Sequence, residues 1–256
     1  MIQQKVMPRV LVIVALLPIF YIVAPLFHMF SVLSWSQIIA ALVNPEVDRA
    51  VFTSLVSALV TTAGALVFGL PIAFLLSLRN FFGKRLIESL LIMPMILPPI
   101  VGGIGQLFLY GPMTLIGEWF AGHNIELTNS IIGVILAQSY ITSPFMILTA
   151  KAGFEEIPRE LQEVTKTLGG GLWHIFWYVS VPLARSAILS GMVLTFARAV
   201  GEFGATMIMA YHPYTLPVEI WVQFTSGGIT SILPIAAVGT MFALLMTLLS
   251  SIRRVR

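Results

Sequence analysis

Residues 155–182 read EEIPRELQEVTKTLGGGLWHIFWYVSVP, and the rest of the chain is organised around them. The first twelve positions of this run hold four of the chain's eleven acidic residues and two of its fourteen basic ones, whereas the remainder is largely apolar. Ile157, Leu161, Val164 and Leu168 recur at i, i+4, i+7 and i+11, the spacing of one helical face. Glu160, Glu163 and Lys166 lie off that stripe. Arg159 and Glu163 are four apart, and Glu163 and Lys166 three apart, so each pair can meet on the helix surface. Pro158 suits the first helical turn, where its missing N–H costs nothing. Gly169-Gly170-Gly171 ends the helix, because glycine accepts the left-handed cap conformation. A short aromatic helix is expected over 172–178, with Pro182 introducing a membrane-length helix. A polar helix, a glycine stop and a second helix on the water side of a membrane protein form a docking surface; a solvated connecting loop is the plainer alternative.

The 256 residues are 58% hydrophobic and only 10% charged, with a mean hydropathy of +0.96. Soluble domains carry about 25% charged residues, so this composition belongs to an integral membrane protein, expected to be a single domain over residues 1–256. There are no cysteines, which excludes disulfides and thiolate chemistry. The sequence pI near 9.4 is compatible with nucleic-acid binding, but the basic residues are placed for membrane topology. Six apolar runs are long enough to cross about 30 Å of hydrocarbon, over 10–33, 51–78, 86–110, 130–150, 187–211 and 232–252. They are continuous and too long for barrel strands, so the expected fold class is all-α. The first run is too long for a signal-peptide core and lacks a small-x-small cleavage pattern, so it is expected to remain as a transmembrane helix. No internal repeat is evident.

With six spans, Lys5, Arg9, Arg79, Lys84, Arg85, Lys151, Arg159, Lys166, Arg185, Arg253, Arg254 and Arg256 all fall on one side. The positive-inside rule makes that side the cytoplasm and puts both termini there. The opposite loops, 34–50, 111–129 and 212–231, hold only Arg49. Residues 155–171 then face the cytoplasm, within reach of a soluble partner.

Two spans are irregular in sequence. The third contains IMPMILPPIVGGIG over 92–105, and its prolines and glycines cannot make a regular helix. Such breaks are tolerated where the freed backbone is buried in protein or lines a cavity, so a packing kink and a pore lining both remain open. The fifth contains FARAVGEFGAT over 196–206. Ala197, Gly201 and Ala205 are small residues every four positions, which lets another helix approach closely. Arg198 and Glu202 lie deep in the apolar run, where an ionised group costs about 2.5–3.5 kcal/mol on insertion scales. Both should face the bundle interior, either as a structural pair or as a polar station on an anion route.

Glu163, Gly169 six residues on, and Val179-Ser180-Val181-Pro182 resemble the Glu-Ala-Ala loop of ABC-importer permeases. The Glu, Gly and Pro are in register; Val164-Thr165 replace Ala-Ala, and Val179 and Val181 replace Ile and Leu. The resemblance implies a type I importer fold like that of methionine permeases. It also implies that the 155–182 loop is a coupling helix seated in a groove of an ATP-hydrolysing subunit. Glu160, Glu163, Thr165, Leu168, Gly169 and Pro182 are the residues expected to couple. Phe-Ala-Arg-Ala-x-Gly-Glu-Phe-Gly-Ala is similar to molybdate, tungstate and sulfate permeases. AYHPYTLPVEIW over 210–221 and FTSGG over 224–228 look most like the molybdate/tungstate branch, with His212 in place of a Tyr and Leu216 in place of an Ala. The candidate pathway residues are Pro98, Gly102, Arg198, Gly201, Glu202, Gly204 and Thr206.

No Walker A phosphate loop is present, and neither H-E-x-x-H nor G-x-S-x-G occurs. His28, His123, His174 and His212 are scattered without metal-ligand spacing, and His174, between Trp173 and Trp177, reads as an interfacial anchor. The expected protein is therefore not an enzyme and binds no cofactor itself; the resemblance puts ATP and Mg on the partner ATPase. It also implies a second copy of the chain, ABC ATPase subunits, an extracytoplasmic oxyanion-binding protein, membrane lipid and no nucleic acid as the partner set. The implied location is a prokaryotic inner membrane. A sulfate or thiosulfate permease is the alternative cargo; a membrane enzyme or stand-alone channel is the alternative class.

Overall fold

The structure, a computed structural model, describes residues 9–78 and 81–252, and every regular element among them is helical. Lys5, Arg79, Arg253, Arg254 and Arg256 of the topology argument lie outside the described residues. The chain divides into two compact units, one of Arg49–Glu219 and one of Met1–Asp48 with Ile220–Arg256.

Among the described residues four helices are long and apolar enough to cross a membrane, and up to six spans result if each of two bent helix pairs counts as one. The four are the main parts of α1 (Arg9–Ser31), α3 (Pro45–Leu78), α7 (Ile131–Glu155) and α13 (Leu216–Ile252). The third apolar run is a bent pair, α4 (Lys84–Ile96) and α5 (Pro99–Tyr110), meeting at 111°. Leu97 is extended there (φ −65°, ψ 143°), as a residue preceding proline must be, and Pro99 restarts the helix.

Three expectations need correction. The run over 187–211 is not one helix: α11 (Arg185–Val200) stops at Gly201, and α12 (Gly204–Met209) restarts after Phe203. The loop over 212–231 is helical from Leu216 onward; Pro217 enters the first turn, and Gly228 (φ 71°, ψ −168°) breaks α13 rather than ending a loop. The hydroxyl of Ser231 spans that break, donating to the carbonyls of Gln223 at 3.0 Å and Gly228 at 2.8 Å. The loops over 34–50 and 111–129 also hold short helices, α2 (Trp35–Leu42) and α6 (Leu115–Ala121). A capping box starts α2: the Gln37 N–H donates to the Ser34 hydroxyl, and the Ser34 N–H donates to Gln37 Oε1 at 2.9 Å.

Within Arg49–Glu219 the main apolar core joins α3, α7, α11 and a π-helical turn at Ile175–Ser180. Phe74, Phe154 and Phe176 form its aromatic centre, with ring centroids 5.0–6.3 Å apart in tilted or edge-to-face pairs. A smaller cluster of Ala137, Ile141, Ala205 and Met209 joins α7 to α12. Small residues set the approach of these helices. A methyl added at Gly103 would lie 2.8 Å from the Ala205 carbonyl oxygen, and one at Gly191 would lie 2.9 Å from Met146 Sδ.

Candidate functional site

Two places gather the residues singled out by sequence: the loop after α7 and the break between α11 and α12. In the loop, Pro158 caps α8 (Arg159–Thr167), and Leu168 ends it. Gly169 then takes φ 83°, the left-handed turn that glycine adopts without a Cβ clash. The Gly170 N–H donates to the Thr165 carbonyl at 2.9 Å, closing the turn, and Gly170 passes so near Thr165 that a methyl there would lie 2.7 Å from Thr165 Cγ2.

The apolar stripe does not face inward. Ile157 is buried in the Phe74–Phe154–Phe176 core, but Leu161 is 44%, Val164 54% and Leu168 83% exposed. Gln162 and Thr165 are the half-buried positions of α8. Glu160 and Glu163 are exposed, and neither expected surface pair, Arg159–Glu163 or Glu163–Lys166, is among the ion pairs of the described residues. α8 and its C-cap thus offer three apolar side chains flanked by charges of both signs that form no ion pair among the described residues.

The aromatic stretch after the glycines is α9 (Leu172–His174) followed by the π turn and α10 (Val181–Leu183). Pro182 does not introduce the membrane helix. It sits in α10, ahead of a 76° bend, and α11 begins only at Arg185. Proline supplies no N–H to the preceding turn, and the widened π backbone lies just N-terminal to it. Trp173 and Tyr178 are exposed around this segment, suited to a membrane–water boundary.

At the break, Arg198 Nη1 lies 2.7 Å from Glu202 Oε2; the Glu202 side chain is fully buried and that of Arg198 one-third exposed. The Ala205 N–H donates to the other carboxylate oxygen at 3.0 Å, so Glu202 also caps the first turn of α12. The Glu202 N–H donates to the Ala199 carbonyl at 3.1 Å. The same carbonyl accepts from Gln138 Nε2 of α7 at 3.0 Å, and Gln138 Oε1 accepts from the Thr61 hydroxyl of α3 at 3.2 Å. Gln138 of α7, itself held by Thr61 of α3, therefore ties off the end of α11 with a side-chain hydrogen bond, as a helix end inside an apolar layer requires. Sequence reading passed over Gln138. An amide in a run otherwise fit to span a membrane was its signal.

The pathway candidates separate. Pro98 and Gly201 are exposed and Arg198 is half-buried with its guanidinium partly accessible. Ala197 and Gly201 face away from the rest of Arg49–Glu219, and only Ala205 of the small-residue stripe is buried. Gly102, by contrast, is walled in: a methyl there would lie 2.7 Å from Tyr140 Cε1. Gly204 packs on Pro99 and Ile100, and the hydroxyl of fully buried Thr206 makes no hydrogen bond.

The sequence pattern of the family described as "Binding-protein-dependent transport system inner membrane component" matches residues 65–255. A probable molybdenum ABC transporter permease protein of Haloferax volcanii is 43% identical over 195 residues, covering 76% of this chain and 71% of that protein. A molybdate/tungstate transport system permease protein of Thermococcus kodakarensis is 32% identical over 206 residues, covering 79% and 76%. A sulfate transport system permease protein of Escherichia coli is 33% identical over 198 residues, covering 77% and 70%. Among solved structures, an inward-facing MetNI methionine ABC transporter superposes with a TM-score of 0.64 at 17% identity, over 80% of this chain and 93% of that one. That likeness is one of fold: a type I importer permease.

Proposed function

The chain belongs to the family of binding-protein-dependent transport system inner membrane components, and from that premise we propose that it is the permease subunit of an ATP-driven importer for molybdate or tungstate. Two copies form the central pathway in a prokaryotic inner membrane, with both termini cytoplasmic. An extracytoplasmic binding protein delivers the oxyanion, and a pair of ATPase subunits, which hold ATP and Mg, bind the two α8 loops. The chain itself performs no hydrolysis and carries no cofactor.

The observation that carries this reading is the outward stripe of Leu161, Val164 and Leu168 on a charged helix. A helix whose apolar face looks into water is incomplete without a partner. Its residues lie where Glu163 and Gly169 place the family's coupling loop. Glu160, Glu163, Thr165, Leu168, Gly169 and Pro182 are proposed to seat and orient that contact. The cargo assignment rests on the higher identity to the molybdenum permease than to the sulfate permease. The edge of exposed Ala197 and Gly201 with half-buried Arg198, together with exposed Pro98, is proposed to border the pathway between the two copies. Gly102, Glu202, Gly204 and Thr206 hold that edge in shape from behind.

Reconstitution into liposomes with the cognate ATPase and binding protein tests the proposal. ATP-dependent uptake of molybdate or tungstate in preference to sulfate is expected. Uptake of sulfate alone would move the cargo to the alternative, and failure of any ATPase to associate would remove the reading.

A further inference from the structure

At the end of α7 that leads into α8, four side chains form an alternating square of charge. Lys151 Nζ lies 2.9 Å from Glu155 Oε1 and 3.3 Å from Glu88 Oε1, and Lys84 Nζ lies 3.9 Å from Glu88 and 3.8 Å from Glu155. Lys84 and Glu88 belong to α4; Lys151 and Glu155 belong to α7. Two of the four pairs therefore cross between helices more than sixty residues apart in sequence, and two run within a helix at i,i+4. The lysines are 15% and 17% exposed, so the cluster is screened less than a surface pair.

Its position gives it a task. Glu155 is the last residue of α7, three positions before the Pro158 cap of α8. α4 is the first half of the bent pair, and its other end is the 111° break at Leu97-Pro98. Between α8 and that break the chain offers two physical routes. One is the apolar anchor of Ile157 among Phe154 and Phe176, which joins α8 to the core of α3, α7 and α11, against which Leu91 of α4 also packs. A close-packed core of that kind has low compressibility and transmits strain. The other is the ionic square, which alone carries polar links from the α7–α8 corner onto α4 among the described residues.

We propose that Lys151 and Glu88, with Lys84 and Glu155, are the linkage through which movement of the α8 loop is passed to α4 and so to the break before α5. The inference rests on the coupling role given to α8 above. Lys151 is the tight node: it reaches a carboxylate on each helix, and its two contacts are the shortest of the four. It acts as a positioning residue and touches neither ATP nor anion. The helix-to-helix pairs transmit; the pairs within each helix only hold the side chains in place.

Charge exchange separates those two kinds of pair. Lys151→Glu sets like charges opposite each other between the helices. Adding Glu88→Lys restores opposite charges at 88 with 151 and leaves 84 with 155 opposite, so both helix-to-helix contacts are attractive while both i,i+4 contacts are repulsive. In the full complex reconstituted with its ATPase and binding protein, we measure anion moved per ATP hydrolysed. The single variant should hydrolyse ATP while its transport per ATP falls roughly ten-fold, within the usual range of coupling factors. The double variant should regain most of that ratio. An unchanged ratio in the single variant, or a double variant no better coupled than the single, would overturn the proposal. If Lys151→Glu does not assemble, the double variant decides alone: coupled transport supports the linkage and uncoupled hydrolysis refutes it. The unaltered complex keeps the two claims apart. If it associates with no ATPase, the coupling role of α8 has failed before the linkage is tested.

Discussion

The α11–α12 break and the α8 loop treat their polar and apolar side chains in opposite ways. At the break, the charged and amide groups are paired within the chain: partly exposed Arg198 pairs with buried Glu202, Glu202 caps Ala205, and Gln138 bonds the Ala199 carbonyl. In the loop, Leu161, Val164 and Leu168 point outward and the charges of α8 have no ion pair among the described residues. Both regions follow from solvent. Inside an apolar layer every polar group must find a partner in the protein. In water a charge needs none, and what is left over is an apolar face. The break closes on partners within the chain apart from the Thr206 hydroxyl, whereas the apolar face of the loop is not covered by the chain itself.

Damage to the break should therefore act first on the folded chain. Arg198→Ala leaves the fully buried Glu202 carboxylate without its cation, and breaking a buried pair costs about 3–5 kcal/mol. We expect little assembled protein, read as the yield of monodisperse complex after gel filtration. The pair Arg198→Met with Glu202→Gln removes both charges and keeps an oxygen to cap Ala205, so assembly should return. Transport should not return if Arg198 borders the pathway; full uptake by the double variant would leave the pair as structural only. Gln138→Leu comes next. It removes two hydrogen bonds and should cost about 1–3 kcal/mol, seen as a lower melting temperature of the detergent-solubilised complex.

Damage to the loop should spare the fold and spoil the function. A Cβ at Gly169 meets nothing within 4 Å, so Gly169→Val suffers only from its φ of 83°, which a β-branched residue resists. The turn should re-form elsewhere, α8 should be misdirected, and anion uptake should fail at normal expression. The smallest effect belongs to Arg159→Ala. With no ion pair to lose among the described residues, it should change thermal stability by no more than about 0.5 kcal/mol.

Helix existence was legible in this sequence wherever apolar runs were long and unbroken, as in α3 and α7. The break at Pro98-Pro99 was legible because proline acts locally on the residue before it. The break at Gly201–Phe203 was not, since a single glycine in an apolar run reads as a packing site, and the partners that stabilise the broken end lie on α3 and α7. The α8 stripe was visible as a helical period. Which way it faced was not, because period alone does not say whether a face meets this chain or another. The pairing of Lys84 and Glu88 with Lys151 and Glu155 likewise needed the fold, since nothing local links residues so far apart in sequence.

The most direct test of the account is a pull-down with Leu168→Asp, alone and with Leu161→Asp, against the unaltered chain and its cognate ATPase. Both side chains are exposed, so the variants should match the unaltered chain in melting temperature and elution volume. The account predicts that they lose the ATPase while staying folded. ATPase retained at unaltered stoichiometry by the double variant would contradict it.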